Sequence, residues 1–267
     1  MTAGRWLIVL GMLLLLVCDG WSENACDGID LKWIGGHTAM PGDVKIISQE
    51  DRGGICEVIM ARGGNLIPGY AGKDFMVIGR MFRDRRDITV ESLNALTPVI
   101  EKVREEAKEA EEKAATQRQA FLKENISTLE SLISLSFQPG SEKGHLYLIT
   151  DPHCSHCQKL LPEMEALAVE TGMTLDLILY PMEGSDGEAV SIHALCNNLS
   201  YVEYVSLPGD GALSACPEAL ERIHETRSFF RSGGINFVPL VVAGDGSWVV
   251  EGGNHLSTVR AHLGLNP

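Results

Sequence analysis

The stretch Thr150–Met164, TDPHCSHCQKLLPEM, holds Cys154 and Cys157 two residues apart, with His153 in front of them and His156 between them. Two chemistries use such a pair: metal binding and thiol–disulfide exchange. A structural zinc needs four ligands, usually from two short-spaced pairs. Only one C-x-x-C occurs here, and no second short-spaced Cys or His pair joins His153, His156 and His193. Neither a metal nor another cofactor is therefore expected. Exchange chemistry uses every feature of the stretch. A cysteine at the start of a helix meets free backbone N–H groups and the positive end of the helix dipole, which favour a thiolate. His156, when protonated, would add to that, and Cys157 lies one turn on, close enough to close a small disulfide and release a bound partner.

The flanking elements place the pair. HLYLIT (145–150) reads as a strand and CSHCQKLLPEMEALAVET (154–171) as a helix with Pro162 inside it. MTLDLILYP reads as a second strand, followed by a partly helical stretch over about 187–232. FVPLVVA and SWVVEG then flank a tight Asp245-Gly246 turn, before a last short helix around 256–263. That order is α/β. Pro239 interrupts a strand-like run, where it removes a ladder donor. Either Val238–Pro239 is cis and bends the chain beside the site, or Pro239 is an ordinary edge-strand proline.

Length and charge narrow the classes. The 267 residues suffice for one large domain or two modest ones. A formal net charge of -14 argues against a nucleic-acid partner, which requires clustered Lys and Arg. Arg5 precedes the apolar run WLIVLGMLLLLV, and small and polar residues follow it, so residues 1–22 read as an export signal too short to span a membrane comfortably. A lipid anchor on Cys18 is the rival reading, although the bulky Val17 before it is unusual for such a signal. Losing Cys18 with the signal leaves six cysteines in an oxidising compartment. Proximity along the chain favours Cys26 with Cys56, Cys154 with Cys157 and Cys196 with Cys216, out of fifteen possible pairings.

Two further pieces precede the α/β part. Residues 23–88 carry three β-rich runs, DVKIISQ, GICEVIMA and DFMVIGRMF, between Gly-rich turns, and read as a small antiparallel sheet. Residues 89–136 are rich in Ala, Glu, Lys, Gln and Leu and read as a solvated helical spacer, about 60–70 Å long if unbroken. Ala in its middle gives no strong zipper seam. His37, His224, His255 and His262 read as scattered groups outside any site, and Trp33 and Trp248 as packing residues.

The last piece, 137–267, resembles the thioredoxin-fold domain of thiol–disulfide oxidoreductases, with CSHC as active site and VP as its cis-proline loop. The chain after the signal is similar to the bacterial periplasmic disulfide isomerases of the DsbC/DsbG family, through KDFMVIGRMFRDRRDITVESLNAL and HLYLITDPHCSHCQKLLPEM. The resemblance implies an α+β, two-domain protein. A small cystatin-like antiparallel-sheet dimerisation domain comes first, then a long helical linker, then a thioredoxin-like domain with a helical insertion. It implies that Cys154 attacks and Cys157 resolves. Val238 and Pro239 receive an extended substrate, and Cys196–Cys216 is structural. The implied partners are misfolded or unfolded exported proteins, a DsbD-like membrane reductant that keeps Cys154 reduced, and a second copy of the chain. The implied location is the periplasm.

Three departures bear on the chemistry. Ser155-His156 and Val238 resemble the DsbA-type oxidases more than the isomerases, so a dithiol oxidase on this scaffold is the alternative to an isomerase with chaperone activity. A non-catalytic holdase is a third reading. The helical spacer also looks about two dozen residues longer than the family's, judged by its helix-former content. Cys26 and Cys56 have no expected counterpart in the family's first domain.

Overall fold

The structure, a computed structural model, describes residues 24–266 apart from 41–42, 141–142, 183, 208–212 and 252–254. The expected export signal, and Cys18 with it, lies outside the described residues. The chain forms two compact units, Met1–Glu109 and Ala110–Pro267.

In the first unit, helix α1 (Leu31–His37) is capped by Asp30, whose carboxylate accepts from Trp33 N–H. Four strands follow, β1 (Lys45–Asp51), β2 (Cys56–Arg62), β3 (Asn65–Ala71) and β4 (Met76–Ile78), paired antiparallel in that order. Ile34 of α1 packs with Val44, Val58, Met60 and Ala71 to make the core. The sequence reading gives neither α1 nor β3. Pro and Gly are depleted in strand interiors, yet Pro68 and Gly69 both lie in β3, Pro68 opposite Ile59. A Cβ at Gly69 would displace the end of the Met76 side chain, so the glycine leaves room for it. The run DFMVIGRMF splits into β4 and β5 (Phe82–Arg83), and β5 turns back on β6 (Arg86–Asp87) through Asp84 and Arg85, both at positive φ.

Helix α2 (Ile88–Ala95) is fastened to this sheet by a buried polar network. Glu57 of β2 accepts hydrogen bonds from Arg52, Tyr70 and Ser92, so no charge is left unpaired. Cys26 is bonded to Cys56, with the Cα atoms 4.8 Å apart and 30 residues between them in sequence. Closing a loop of that size removes unfolded-chain entropy equivalent to about 3–4 kcal/mol.

The helical linker is interrupted. Its longest helix, α3 (Thr97–Glu124), has 28 residues, about 42 Å at 1.5 Å per residue. Pro98 near its start cannot donate back to α2. Asn125 follows its end, and the Asn125 side-chain amide donates to Phe121 C=O. Helix α4 (Ile126–Ser131) comes next. The expectation of a solvated spacer fails for the far end. Leu122, Leu129 and Leu132 are buried in the second unit's core, and Arg118 makes a two-armed ion pair with Glu251. Apolar positions spread thinly among charged ones hid this packing from the sequence. Leu122→Ala should therefore destabilise the second unit by about 2–5 kcal/mol, read from its urea midpoint, where a solvated spacer residue would change it little.

The strands of the second unit begin with β7 (Leu135–Phe137). After it come β8 (His145–Thr150), α5 (Ser155–Thr171), β9 (Thr174–Leu179), α6 (Asp186–Cys196), α7 (Tyr201–Val205), α8 (Pro217–Ser232), β10 (Leu240–Ala243), β11 (Val249–Glu251) and α9 (His255–His262). The sheet order is β11-β10-β8-β9-β7, with β8 and β9 parallel and the other pairs antiparallel. A βαβ half joined to a β-hairpin half in this order, with helices α6 to α8 inserted between them, is a thioredoxin-like domain. Alternation along the strands fills two cores. Leu146, Leu148, Leu175 and Leu177 face α5, through Leu160, Met164 and Leu167. Tyr147, Ile149 and Ile178 face the opposite side, with Leu122, Phe230 and Leu240. Cys196 is bonded to Cys216 and ties the end of α6 to the start of α8.

Candidate active site

Strand β8 ends at Thr150, and the loop Asp151–His153 delivers the chain to Cys154, the N-cap residue of α5. The Cys154 sulfur accepts the Cys157 backbone N–H at 3.4 Å. It therefore sits where the first N–H groups of the helix have no intrahelical acceptor, a position that stabilises negative charge on sulfur. Cys154 is partly exposed, whereas Cys157 is 1% exposed; both are free thiols. One sulfur faces incoming molecules and the other waits behind it, one helical turn on.

Burial pushes the Cys157 thiol up to about 12, against the pull of hydrogen bonds with the Asp151 backbone and the Thr150 side chain. In the unfolded chain the same thiol titrates near 8.5, so it loses its proton first as pH rises. The stability this group contributes is thus complete below about pH 8.5 and is lost as pH climbs toward 12. Urea unfolding of the reduced protein should show this loss above pH 9. The oxidised protein and Cys157→Ala should lack this contribution and lose stability only where the buried tyrosines begin to titrate, above about pH 10.

The loop is held by Asp151, a residue that the C-x-x-C motif does not include. Asp151, 4% exposed, accepts His153 N–H at 2.8 Å through Oδ1 and Met182 N–H at 3.0 Å through Oδ2. Its backbone C=O also accepts Cys154 N–H. The first bond is an Asx turn, for which the Asp-Pro-His triplet was the available signal. The second joins the loop to the segment after β9. Gly187, in the first turn of α6, completes the clamp, because a Cβ there would lie 2.0 Å from Asp151 Oδ1.

His156 is exposed on the first turn of α5, and among the described residues no hydrogen bond joins its ring to either sulfur. Val238–Pro239 is a cis peptide bond immediately before β10. Leu240 pairs with Ile149, so the register sets Pro239 at the end of β8 from which the Cys154 loop departs. Cys26 is bonded to Cys56 in the first unit and Cys196 to Cys216 in the insertion, so neither pair involves Cys154 or Cys157. Among the described residues, no group of three or more His, Cys, Asp or Glu side chains is placed to hold a metal ion. No described helix is long and apolar enough to cross a membrane.

No protein-family model and no curated protein matches the chain. Solved structures do. The chain is similar to a linker-deletion mutant of Proteus mirabilis ScsC, with 14% identity over 68% of this chain and 96% of that one, at a TM-score of 0.49. It is also similar to the thiol-disulfide exchange protein alpha-DsbA2 from Wolbachia pipientis, with 17% identity over 55% and 96% of the two chains and a TM-score of 0.42. DsbG from Helicobacter pylori matches with 14% identity over 75% and 93%, at a TM-score of 0.34. The thioredoxin-like assignment of the second unit rests on its own strand order and its parallel β8–β9 pair.

Proposed function

We propose that this protein is a periplasmic thiol–disulfide oxidoreductase that acts as a disulfide isomerase on exported proteins. The observation that carries this reading is the asymmetry of the pair: Cys154 is accessible at the N-cap of α5, and Cys157 is buried behind it as a thiol. The Cys154 thiolate attacks one sulfur of a wrong disulfide. A Cys154–substrate disulfide forms, the substrate S–S bond breaks, and the second substrate sulfur leaves as a thiolate. That thiolate attacks another disulfide of the same chain, and the last substrate thiolate to form displaces Cys154, with no net oxidation. If this stalls, Cys157 gives up its proton and attacks the Cys154 sulfur. The substrate leaves with two thiols, and the enzyme is oxidised by two electrons. A membrane-bound dithiol then returns the electrons. Val238–Pro239 offers the chain edge along which an extended substrate lies.

Trapping tests this reading. Cys157→Ser should accumulate mixed disulfides with unfolded, disulfide-containing proteins, because the second attack is lost while the first remains. Absence of any such adduct at Cys154 would sink it. The exposed His156 beside the attacking sulfur favours a second reading, disulfide donation, since a cation near Cys154 stabilises its thiolate and makes the disulfide more oxidising.

Assembly into a homodimer through the first unit is part of the proposal, and a paired form with capacity to hold unfolded chains follows from it. Strand β4 lies at the sheet edge, and Phe75, Val77, Ile78 and Phe82 in and beside it are exposed. An apolar open edge of this kind invites pairing with another chain. Val77→Asp should shift the sedimentation of the protein to that of a monomer; an unchanged sedimentation coefficient would exclude this edge as the interface.

A further inference from the structure

A cavity of about 280 Å³ adjoins the reactive pair on the Cys157 side, where the start of α5 meets the helical insertion. Its apolar wall is made by Leu161 of α5, Val190 of α6, Val205 of α7, and Leu207 and Leu213 beyond α7. Cys157, Gln158 and the Asp151–His153 loop close the other side, and among the described residues no lysine or arginine lines it. Val205 and Leu213 remain 47% and 44% exposed, so the cavity opens to solvent through apolar side chains. Tyr204 is 8% exposed and also lines it, and the Tyr204 hydroxyl makes no hydrogen bond among the described residues. Neither Val238 nor Pro239 takes part. Thr150, at the end of β8 where the register sets Pro239, does line it, so the cavity adjoins the edge that would receive a substrate backbone.

We propose that this cavity is a side-chain subsite that selects substrates with a large apolar residue one or two positions from the cysteine that Cys154 attacks. This deepens the exchange function proposed above and rests on it. Continuity with the site argues for that occupant. The loop that forms one wall carries Cys154 as its next residue, and an extended chain advances about 3.3 Å per residue. A neighbour of the substrate cysteine is thus brought to the mouth as soon as the mixed disulfide forms. The volume is about twice the ~150 Å³ of an apolar cavity known to take a benzene-sized guest, so leucine, phenylalanine or tryptophan fits. The Asp151 carboxylate lines the cavity and among the described residues no lysine or arginine does, so an anionic ligand is disfavoured. A peptide carbonyl arriving with the side chain gives the Tyr204 hydroxyl an acceptor, which a purely apolar small molecule does not.

The test compares two peptides, each carrying one cysteine as its mixed disulfide with glutathione. One has Phe and the other Ser at the positions flanking the cysteine. The readout is the second-order rate at which the Cys154 thiol of the full-length protein is consumed, whether it ends as an adduct or as the Cys154–Cys157 disulfide. The wild type should react on the order of tenfold faster with the Phe peptide, the discrimination expected when one apolar side chain enters a pocket. Val205→Asp and Leu213→Asp, both at exposed positions, should bring that ratio to about one. Equal rates for the two peptides in the wild type would overturn the proposal, as would a preference that survives both substitutions. Oxidised glutathione separates this failure from a failure of the parent reading. A wild type whose Cys154 thiol reacts with it but does not discriminate loses only the subsite, whereas one whose thiol does not react loses the exchange function and the subsite together.

Discussion

Cys154→Ser should lower the rate of disulfide exchange by on the order of a thousandfold or more, with the fold intact. The scale is that of removing the nucleophile from an enzyme that works by covalent catalysis. Serine keeps the N-cap geometry, since its hydroxyl oxygen also accepts the N–H that Cys154 now accepts. Its hydroxyl, however, is not ionised near neutral pH and cannot carry a disulfide. Cys157 cannot take over, because it is buried, and burial holds its thiol protonated up to about pH 12. The two single variants should therefore behave differently. Cys157→Ser attacks and traps, whereas Cys154→Ser does neither. The check is adduct formation with oxidised glutathione, followed by mass, alongside an unchanged far-ultraviolet spectrum. Residual exchange in Cys154→Ser above a few per cent of wild type would show that Cys157 is reachable.

The second large effect is expected at Asp151, a positioning residue. Asp151→Ala leaves the N–H groups of His153 and Met182 without their acceptor in a partly buried setting. Each unmet donor costs about 1–3 kcal/mol, so the loss should be about 2–5 kcal/mol in urea unfolding. The same change frees the loop that aims Cys154, so exchange should slow even where the protein is fully folded. Asp151→Asn retains one acceptor oxygen but turns an NH2 toward the other N–H, and should fall between alanine and wild type. A merely structural role would lower stability and leave the rate per folded molecule unchanged. A change in the rate of Cys154 alkylation at fixed pH tells the two apart.

The chemistry was legible in the sequence because its parts are local. A strand, a short loop and a C-x-x-C opening a helix are contiguous over Leu146–Leu161, and the period-two pattern of HLYLIT marks the buried strand that delivers them. What was not legible depends on residues that meet only in three dimensions. Asp151 was read past because its second partner, Met182, lies 31 positions away. Gly187 and Tyr204 come from the insertion, whose packing against the site no local pattern announces. The same cause hid the far end of α3, where Arg118 finds Glu251 across 133 residues. In the first unit, β3 was lost because Pro68 and Gly69 usually break strands. Here Pro68 sits opposite Ile59, and the absence of a side chain at Gly69 leaves room for Met76.

The most direct test of the central claim is reactivation of a small protein whose disulfides have been scrambled, measured beside oxidation of the same protein supplied fully reduced. A disulfide isomerase should restore activity to the scrambled form in a manner that depends on Cys154 and on a supply of reductant, at a rate exceeding its oxidation of the reduced form. Fast oxidation with little unscrambling would contradict isomerisation and assign the Cys154–Cys157 pair to disulfide donation. Inactivity in both arms would contradict a catalytic role for the pair altogether.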